Sequence, residues 1–140
     1  MLKVLVPVDG SEPSLRAVRH VVRRLGQLQD AEIHLLNVQP PIPQAITTFV
    51  DRESVKGFHR DEGTAALKEA RAVLDHAGLK YQTHIAVGGA AETIAAYARE
   101  HRCDEVIMGA RGLGAVLNLL LGSTTTKLLH LVDVPVTIVK

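Results

Sequence analysis

The sequence predicts an α/β fold: a single domain built on a doubly wound, five-stranded parallel sheet of the Rossmann-like type. Three observations support this prediction. Apolar, β-branched runs alternate with amphipathic helical stretches in the order βαβαβαβαβ, and such alternation indicates a parallel sheet with helices on both faces. The runs are short and apolar, as in strands that are buried on both sides. The 140 residues contain no linker and no internal repeat, so they fit one domain.

Five strands and four helices are expected. The strand patterns cover residues 2–8, 33–38, 81–87, 105–108 and 134–139. The first helix is capped by Ser11 and ends near Leu25, with Pro13 in its first turn, where a missing N–H costs nothing. The other three lie within 52–77, before the stop signal Gly78, and at 90–100 and 123–131. Three prolines predict a loop over 39–48.

Composition excludes several classes of function. Apolar residues make up 46% and charged residues 22%, as in an ordinary globular chain. The net charge of +1 and the 3% of aromatic residues give no basis for binding nucleic acid. No apolar run has the length of a membrane helix, and we expect no signal peptide because the strand pattern begins at Leu2. One cysteine allows no internal disulfide, so we expect a cytoplasmic location.

The most informative stretch runs from Met108 to Thr124. Gly109 and Gly112 are followed, after nine intervening residues, by Gly122-Ser123-Thr124. The stretch joins a strand to a helix, and backbone N–H groups at such a helix N-terminus can hold a phosphate. It contains no Walker A motif, and no G-x-G-x-x-G follows the first strand, so the common mononucleotide and dinucleotide loops do not describe it. The alternative is a tight turn and a helix entry that bind nothing.

These residues resemble the nucleotide-binding signature of the universal stress protein family. The spacing Gly109-x2-Gly112-x9-Gly122-Ser123 matches that signature, and the segments 6–12 and 134–139 resemble the opening and closing strands of the family. The resemblance covers the whole chain. It implies the strand order 3-2-1-4-5 and an ATP-binding homodimer. The dimer would pair through the last strand, represented here by Val134, Val136, Thr137 and Ile138.

The resemblance also implies a role for each site residue. Pro7, Val8 and Asp9 would line the base and ribose, Val38 would offer its backbone to the adenine edge, and Met108 would lie beside the base. The glycines, Ser123 and Thr124 would surround the phosphates. Arg111, the cation in the loop, either pairs with a phosphate oxygen or points to solvent. Asp9 either contacts the nucleotide, or a Mg²⁺ held by its phosphates, or it forms an Asx-type turn after the strand.

Other residues have weaker claims to function. Seven scattered histidines lack cysteine companions and metal-ligand spacing, so we expect no metal site in the protein itself. Cys103 is expected to be a small buried residue and not a nucleophile. The apolar run 113–121 is a loop folded on the core, a lid over the nucleotide, or a surface for a partner. Residues 39–52 either close over the site or contact a second subunit.

The leading hypothesis is therefore an ATP-binding stress-response regulator that acts as a homodimer with a regulatory protein partner. The alternative is a nucleotide-independent interaction module of the same fold. No catalytic residue is predicted, because no general base is placed near the expected γ-phosphate, although slow ATP hydrolysis is conceivable. A phosphoacceptor domain is rejected, since Gly88-Gly89-Ala90 follows the third strand where that class needs a carboxylate.

Overall fold

A five-stranded parallel sheet forms the centre of the molecule, in the strand order β3-β2-β1-β4-β5. The computed structural model describes residues 1–28, 30–110 and 122–140. The strands are β1 Leu2–Pro7, β2 Ala31–Gln39, β3 Tyr81–Val87, β4 Glu105–Gly109 and β5 Val136–Val139. The helices are α1 Glu12–Leu25, α2 Gln44–Thr47, α3 Arg52–His76, α4 Ala90–Glu100 and α5 Ser123–Leu131. The predicted fold class and strand order are confirmed.

Two details of the prediction are wrong. The described residues contain five helices, because α2 forms one turn inside the segment that was expected to be a loop. Pro43 precedes that turn and no proline lies within it, so nothing in residues 44–47 prevents helical hydrogen bonds. Strand β5 begins at Val136, which leaves Val134 and Pro135 outside it. A proline has no N–H to donate to a strand ladder, which accounts for the later start.

The helices cover both faces of the sheet. Helices α1 and α3 pack on one face with Val4, Val6 and Ile33, and α4 and α5 pack on the other with Leu5 and Val106. The chain thus changes face between β1 and β4, the two central neighbours. In doubly wound sheets the crevice for a ligand opens beyond the carboxyl ends of the strands at such a switch point.

Side-chain caps fix the starts of the two helices on the α1 face of the sheet. Ser11 caps α1, and its hydroxyl accepts a bond from the Ser14 N–H at 3.4 Å. Helix α3 begins after a second cap, Asp51, whose carboxylate accepts from the Ser54 N–H at 2.7 Å. In the part of the chain that the structure describes, no helix is both long and apolar enough to cross a membrane.

Candidate functional site

Asp9 forms a tight turn two residues after the end of β1. Its Oδ1 accepts hydrogen bonds from the N–H of Ser11 at 2.9 Å and from the Ser11 hydroxyl at 2.5 Å. This is the Asx-type turn that the sequence left as one of two roles for Asp9. Gly10 follows with a φ of +85°, and a Cβ there would lie 3.3 Å from the Ala66 Cα on α3. The turn is therefore fixed between α1 and α3, and the exposed Asp9 side chain lies at the mouth of the crevice.

Gly109 ends β4 directly against the first turn of α1. A Cβ built on Gly109 would lie 2.2 Å from the carbonyl oxygen of Pro13 and 2.9 Å from the Ser14 nitrogen. No side chain fits that space, so glycine is needed for packing between the helix and the strand. The next residue, Ala110, donates its N–H to the Val139 carbonyl at 2.8 Å. The motif glycine thus brings the end of β4 beside the Asp9 turn.

Val38 lies where β2 extends past β1. The register pairs Pro7 with Leu36, and the Val8 N–H donates to the Leu36 carbonyl at 2.8 Å. Backbone groups of a strand point alternately to its two neighbours, so those of Val38 point to the β1 side, beyond the last register pair of the ladder. This is a position from which a backbone can read the edge of a planar base.

Asn37 is a structural residue of the site that the sequence analysis missed. It is buried, and its Nδ2 donates to the Val8 carbonyl at 2.8 Å while its Oδ1 accepts from Gln39 Nε2 at 2.7 Å. Asn37 therefore ties the end of β1 to the end of β2 next to Val38. The available signal was one amide residue at the end of the apolar run Ile33–Val38, where an apolar residue would be expected.

Helix α5 points its N-terminus at the same edge. Gly122 is its N-cap, with φ −58° and ψ 158°, and no side chain caps the helix. The first N–H groups of a helix have no partner within the helix, and they form the positive end of its dipole. Ser123 and Thr124 supply two of these groups. The buried Thr125 fixes the turn, because its hydroxyl contacts the Met108 sulfur at 3.9 Å.

The structure therefore brings most of the predicted site residues to one edge of the sheet. The ends of β1, β2 and β4 and the start of α5 meet there, and they carry Pro7, Val8, Asp9, Val38, Met108, Gly109, Gly122, Ser123 and Thr124. Arg111, Gly112 and the apolar run 113–121 lie outside the described residues. Lys127, in the second turn of α5, forms an ion pair through its ammonium with Glu92 in the first turn of α4. That pairing lowers the pKa of the Glu92 carboxyl.

A second group of polar side chains lies on the α4 face of the sheet. The Tyr97 hydroxyl and His34 Nδ1 share a hydrogen bond of 2.6 Å, and the His101 ring stacks on Tyr97 with centroids 3.9 Å apart. His84 lies 5.3 Å from Tyr97, again between ring centroids. Among residues 1–28, 30–110 and 122–140, no group of three or more His, Cys, Asp or Glu side chains is placed to hold a metal ion.

Charged residues at the amino ends of β1 and β2 complete this second group. Glu32 Oε2 lies 3.3 Å from His34 Nε2 and 3.6 Å from Lys3 Nζ, although the imidazole N–H is not aligned with the carboxylate as a hydrogen bond. The contact with His34, and then the charge of Lys3, lower the pKa of Glu32. Cys103 is buried, as predicted, and burial raises the pKa of its thiol. A raised pKa leaves little thiolate at neutral pH.

The fold and the edge define a class: a doubly wound α/β domain with a helix N-terminus and two strand ends around the crevice at its switch point. The comparisons then give the family. The profile of the universal stress protein family matches residues 1–140, and the chain belongs to that family. The universal stress protein MJ0531 of Methanocaldococcus jannaschii is 28% identical over 99% of this chain and 81% of its own length.

Solved structures show the same architecture. The protein MJ0577 superposes with a TM-score of 0.79 at 29% identity, covering 99% of this chain and 94% of that one. A universal stress protein in complex with cAMP superposes with a TM-score of 0.75 at 25% identity, covering 99% and 97% of the two chains. Members of the fold from Arabidopsis thaliana and Archaeoglobus fulgidus contain AMP and dAMP, and at 20% and 17% identity they show the shared fold.

Proposed function

We propose that this chain binds ATP, with Mg²⁺ held through the phosphates, at the edge where β1, β2, β4 and α5 meet. The observation that carries the proposal is that the α5 N-terminus lies at the same edge of the sheet as the Asp9 turn and the open end of β2. A helix N-terminus suits phosphate, and an open strand end suits the edge of a base. The cAMP complex of a family member supports an adenine nucleotide as the ligand.

Each residue of the edge has a role in this proposal. The N–H groups of Ser123 and Thr124 bind phosphate oxygens, and Gly122 leaves room for them. The backbone of Val38 contacts the adenine, with Met108 beside it. Asp9 contacts the ribose or the phosphate-bound Mg²⁺. Pro7, Val8 and Gly109 form the floor of the crevice, and Arg111 and Gly112 belong to the phosphate side by their positions in the motif.

The proposed role of binding is regulatory. Membership of the universal stress protein family supports a stress-response protein whose partners respond to its nucleotide state, acting in the cytoplasm. The proposal assigns no catalytic residue. Asp9 is the one site residue with a carboxylate, and its Oδ1 already accepts two hydrogen bonds from Ser11. An oxygen that holds a turn is poorly suited to activating a water molecule.

The binding proposal is tested by calorimetric titration of ATP and Mg²⁺ into the purified protein and two variants. Gly122→Val places a branched side chain beside the first N–H groups of α5, in a backbone conformation that valine also adopts. Gly89→Val is the matched control, because Gly89 is the N-cap of α4, with φ −68° and ψ 134°. A Cβ there meets only the end of the flexible Glu92 side chain, so the variant disturbs the ion pair of Glu92 with Lys127 and leaves the first N–H groups of α5 in place.

We expect the wild type and Gly89→Val to bind ATP and Gly122→Val to lose binding while keeping its fold by circular dichroism. Absence of heat from the folded wild type at millimolar ATP contradicts nucleotide binding. Equal binding by the Gly122 variant contradicts the assignment of the phosphates to α5.

We also propose a homodimer that pairs through β5, including Val134, Val136, Thr137 and Ile138. β5 is an edge strand, and its bonds with β4 run from the Val106 N–H to Pro135 and from the Ala110 N–H to Val139. The backbone N–H and C=O groups of the odd-numbered residues of β5 therefore point to β4. Those of Val136 and Ile138 point to the outer edge of the sheet. Unpaired edges of this kind are templates for pairing with another strand.

The alternation in β5 gives a sharp test of the dimer. Ile138→Pro removes an N–H on the outer edge and leaves the bonds to β4 in place, so light scattering should detect a monomer. Ile138→Val is the control, because it keeps the N–H and nearly the same side chain. A dimer that survives the proline contradicts pairing through β5.

A further inference from the structure

His59 is a buried side chain with an unused hydrogen-bonding atom. It lies in α3, only 7% of its surface is exposed, and its Nδ1 has no hydrogen-bond partner among the described residues. Three other buried polar atoms among the described residues also lack a hydrogen-bond partner, Arg16 Nε, Glu32 Oε2 and His34 Nε2, but the last two lie only 3.3 Å from each other. A buried polar atom without a partner costs free energy, and native proteins rarely keep one without a reason.

The packing of α3 places His59 at the carboxyl edge of the sheet. Helix α3 follows β2 and leads into the parallel strand β3, so it runs in the opposite direction to the strands. Gly63 packs against Ile85 near the end of β3, and Ala66 packs against Gly10 in the turn after β1. Ile85 lies two residues before the end of β3, so the turn of α3 that carries His59 reaches the ends of β2 and β3 and lies beyond the end of β1.

Helix geometry fixes the side of α3 that carries His59. Residues four and seven positions apart share a face, so His59 lies on the same face as Gly63 and Ala66. At about 1.5 Å of rise per residue, it stands about 6 Å beyond the level of Ile85 and about 10 Å beyond the level of Gly10. This face of α3 is turned to the space over the Asp9 turn and the end of β2.

We propose that His59 Nδ1 forms a hydrogen bond with the nucleoside half of the bound nucleotide, the base or the sugar, and so helps to select the ligand. The inference rests on the proposed nucleotide site and adds a residue to it. The phosphates lie at the start of α5, across the switch point, whereas His59 stands on the side of β1 and β2, where the base and ribose would lie. Imidazole nitrogen donates or accepts according to its tautomer, which suits either partner.

The test compares His59→Leu with His59→Asn and with His76→Leu. Leucine removes the unpartnered nitrogen, whereas the asparagine amide stands near the position of Nδ1. His76 is the last residue of the same helix and is exposed, so it serves as the matched control. Binding of ATP and of AMP is measured for each protein by calorimetry, and stability by chemical denaturation in the absence of nucleotide.

We expect His59→Leu to unfold at an equal or higher denaturant concentration than the wild type, and yet to bind ATP and AMP each about fivefold more weakly, the typical effect of one lost hydrogen bond. The affinities for ATP and AMP should fall by the same factor because both nucleotides contain the same nucleoside half. His59→Asn should recover most of the affinity, and His76→Leu should bind like the wild type. Unchanged affinity in His59→Leu, or a loss confined to ATP, overturns the role of His59.

A second measurement uses the wild-type protein alone, so it does not depend on the folding of a variant. Long-range ¹H–¹⁵N spectra of the histidine rings are recorded on the wild type before and after saturation with AMP. We expect the His59 Nδ1 resonance to move and the His76 resonances to stay. If AMP saturates the protein and the His59 resonance does not move, the role of His59 is overturned and the proposed nucleotide site is not affected. If the wild type binds neither AMP nor ATP, the proposed function itself is contradicted.

Discussion

The carboxyl edge of the sheet and the polar cluster around Tyr97 use polar groups in opposite ways. In the cluster, side chains bind one another: His34 bonds to Tyr97 and contacts Glu32, and Lys3 contacts Glu32 and donates to the His101 carbonyl at 3.3 Å. At the edge, the backbone groups of the proposed site are positioned by neighbouring residues. Gly109, Asn37 and Thr125 hold the strand ends and the start of α5 in place, and the backbone groups proposed to bind the nucleotide take no part in those contacts.

This difference indicates which region is built for a ligand. The cluster is held mainly by bonds and contacts among its own side chains, so we expect it to contribute chiefly to stability. An edge that is held by its neighbours presents backbone N–H groups in fixed positions, so a ligand meets donors that need no reorganisation. Substitutions of the neighbours at the edge should therefore affect both stability and binding, and substitutions in the cluster should affect stability alone.

The largest effect is expected from Gly109→Ala. The added Cβ would meet the Pro13 carbonyl, so β4 and α1 must separate, and we expect a loss of about 2–3 kcal/mol in the free energy of unfolding. ATP binding should weaken as well. Denaturation in urea and calorimetric titration measure the two quantities.

Gly57→Ala is the control for that substitution. Gly57 lies in α3, and a Cβ there would meet nothing closer than the end of the Arg60 side chain at 3.7 Å. It should stabilise the protein by about 0.5–1 kcal/mol through helix propensity, with no change in ATP affinity. If Gly109→Ala caused no loss in the free energy of unfolding, that result would contradict the close packing of β4 on α1.

Asn37→Leu should have the next largest effect. It leaves the Val8 carbonyl without its donor in a buried position, which should cost about 2 kcal/mol and weaken ATP binding through the freed strand end. Gln39→Leu, which keeps the bond from Asn37 to Val8, should cost less and leave binding close to that of the wild type. The same pair of measurements applies. If Asn37→Leu lost stability but kept its affinity for ATP, Asn37 would have no role in supporting the nucleotide site.

Tyr97→Phe should have the smallest effect and should sharpen the contrast between the regions. It deprives the buried His34 Nδ1 of its partner, at a cost of about 1 kcal/mol in unfolding free energy. Tyr81→Phe is the control, since its hydroxyl bonds to Asp75 at an exposed position, where the loss should be smaller. ATP affinity should stay unchanged in both. A weakened affinity in Tyr97→Phe would show that the cluster and the edge are coupled.

The fold and most of the site positions follow from local signals. Periodicity and turn residues predicted all five strands, and the family resemblance gave their order. The signals that set the element ends were also correct at Ser11 and Gly78, because capping and helix termination depend on a few adjacent residues. The short helix α2 was missed, since a single turn after Pro43 has too few residues to show a helical period.

The parts of the site that the sequence did not reveal depend on contacts between distant segments. Asn37 matters because the end of β1 lies beside it, and no local pattern reports that neighbour. The reason for glycine at position 109 was expected to be close approach of a phosphate. The structure adds a contact with Pro13 on a helix nearly a hundred residues earlier in the chain, which spacing within the motif does not encode.

Backbone amide NMR during titration with ATP and Mg²⁺ tests the central claim most directly, because it follows both regions of the wild type at once. We predict that the largest shift changes fall on the amides of Asp9, Val38, Ser123 and Thr124, while those of His84 and His101 stay in place. Changes centred on the Tyr97 cluster, or no changes at millimolar ATP, would contradict a nucleotide site at the carboxyl edge.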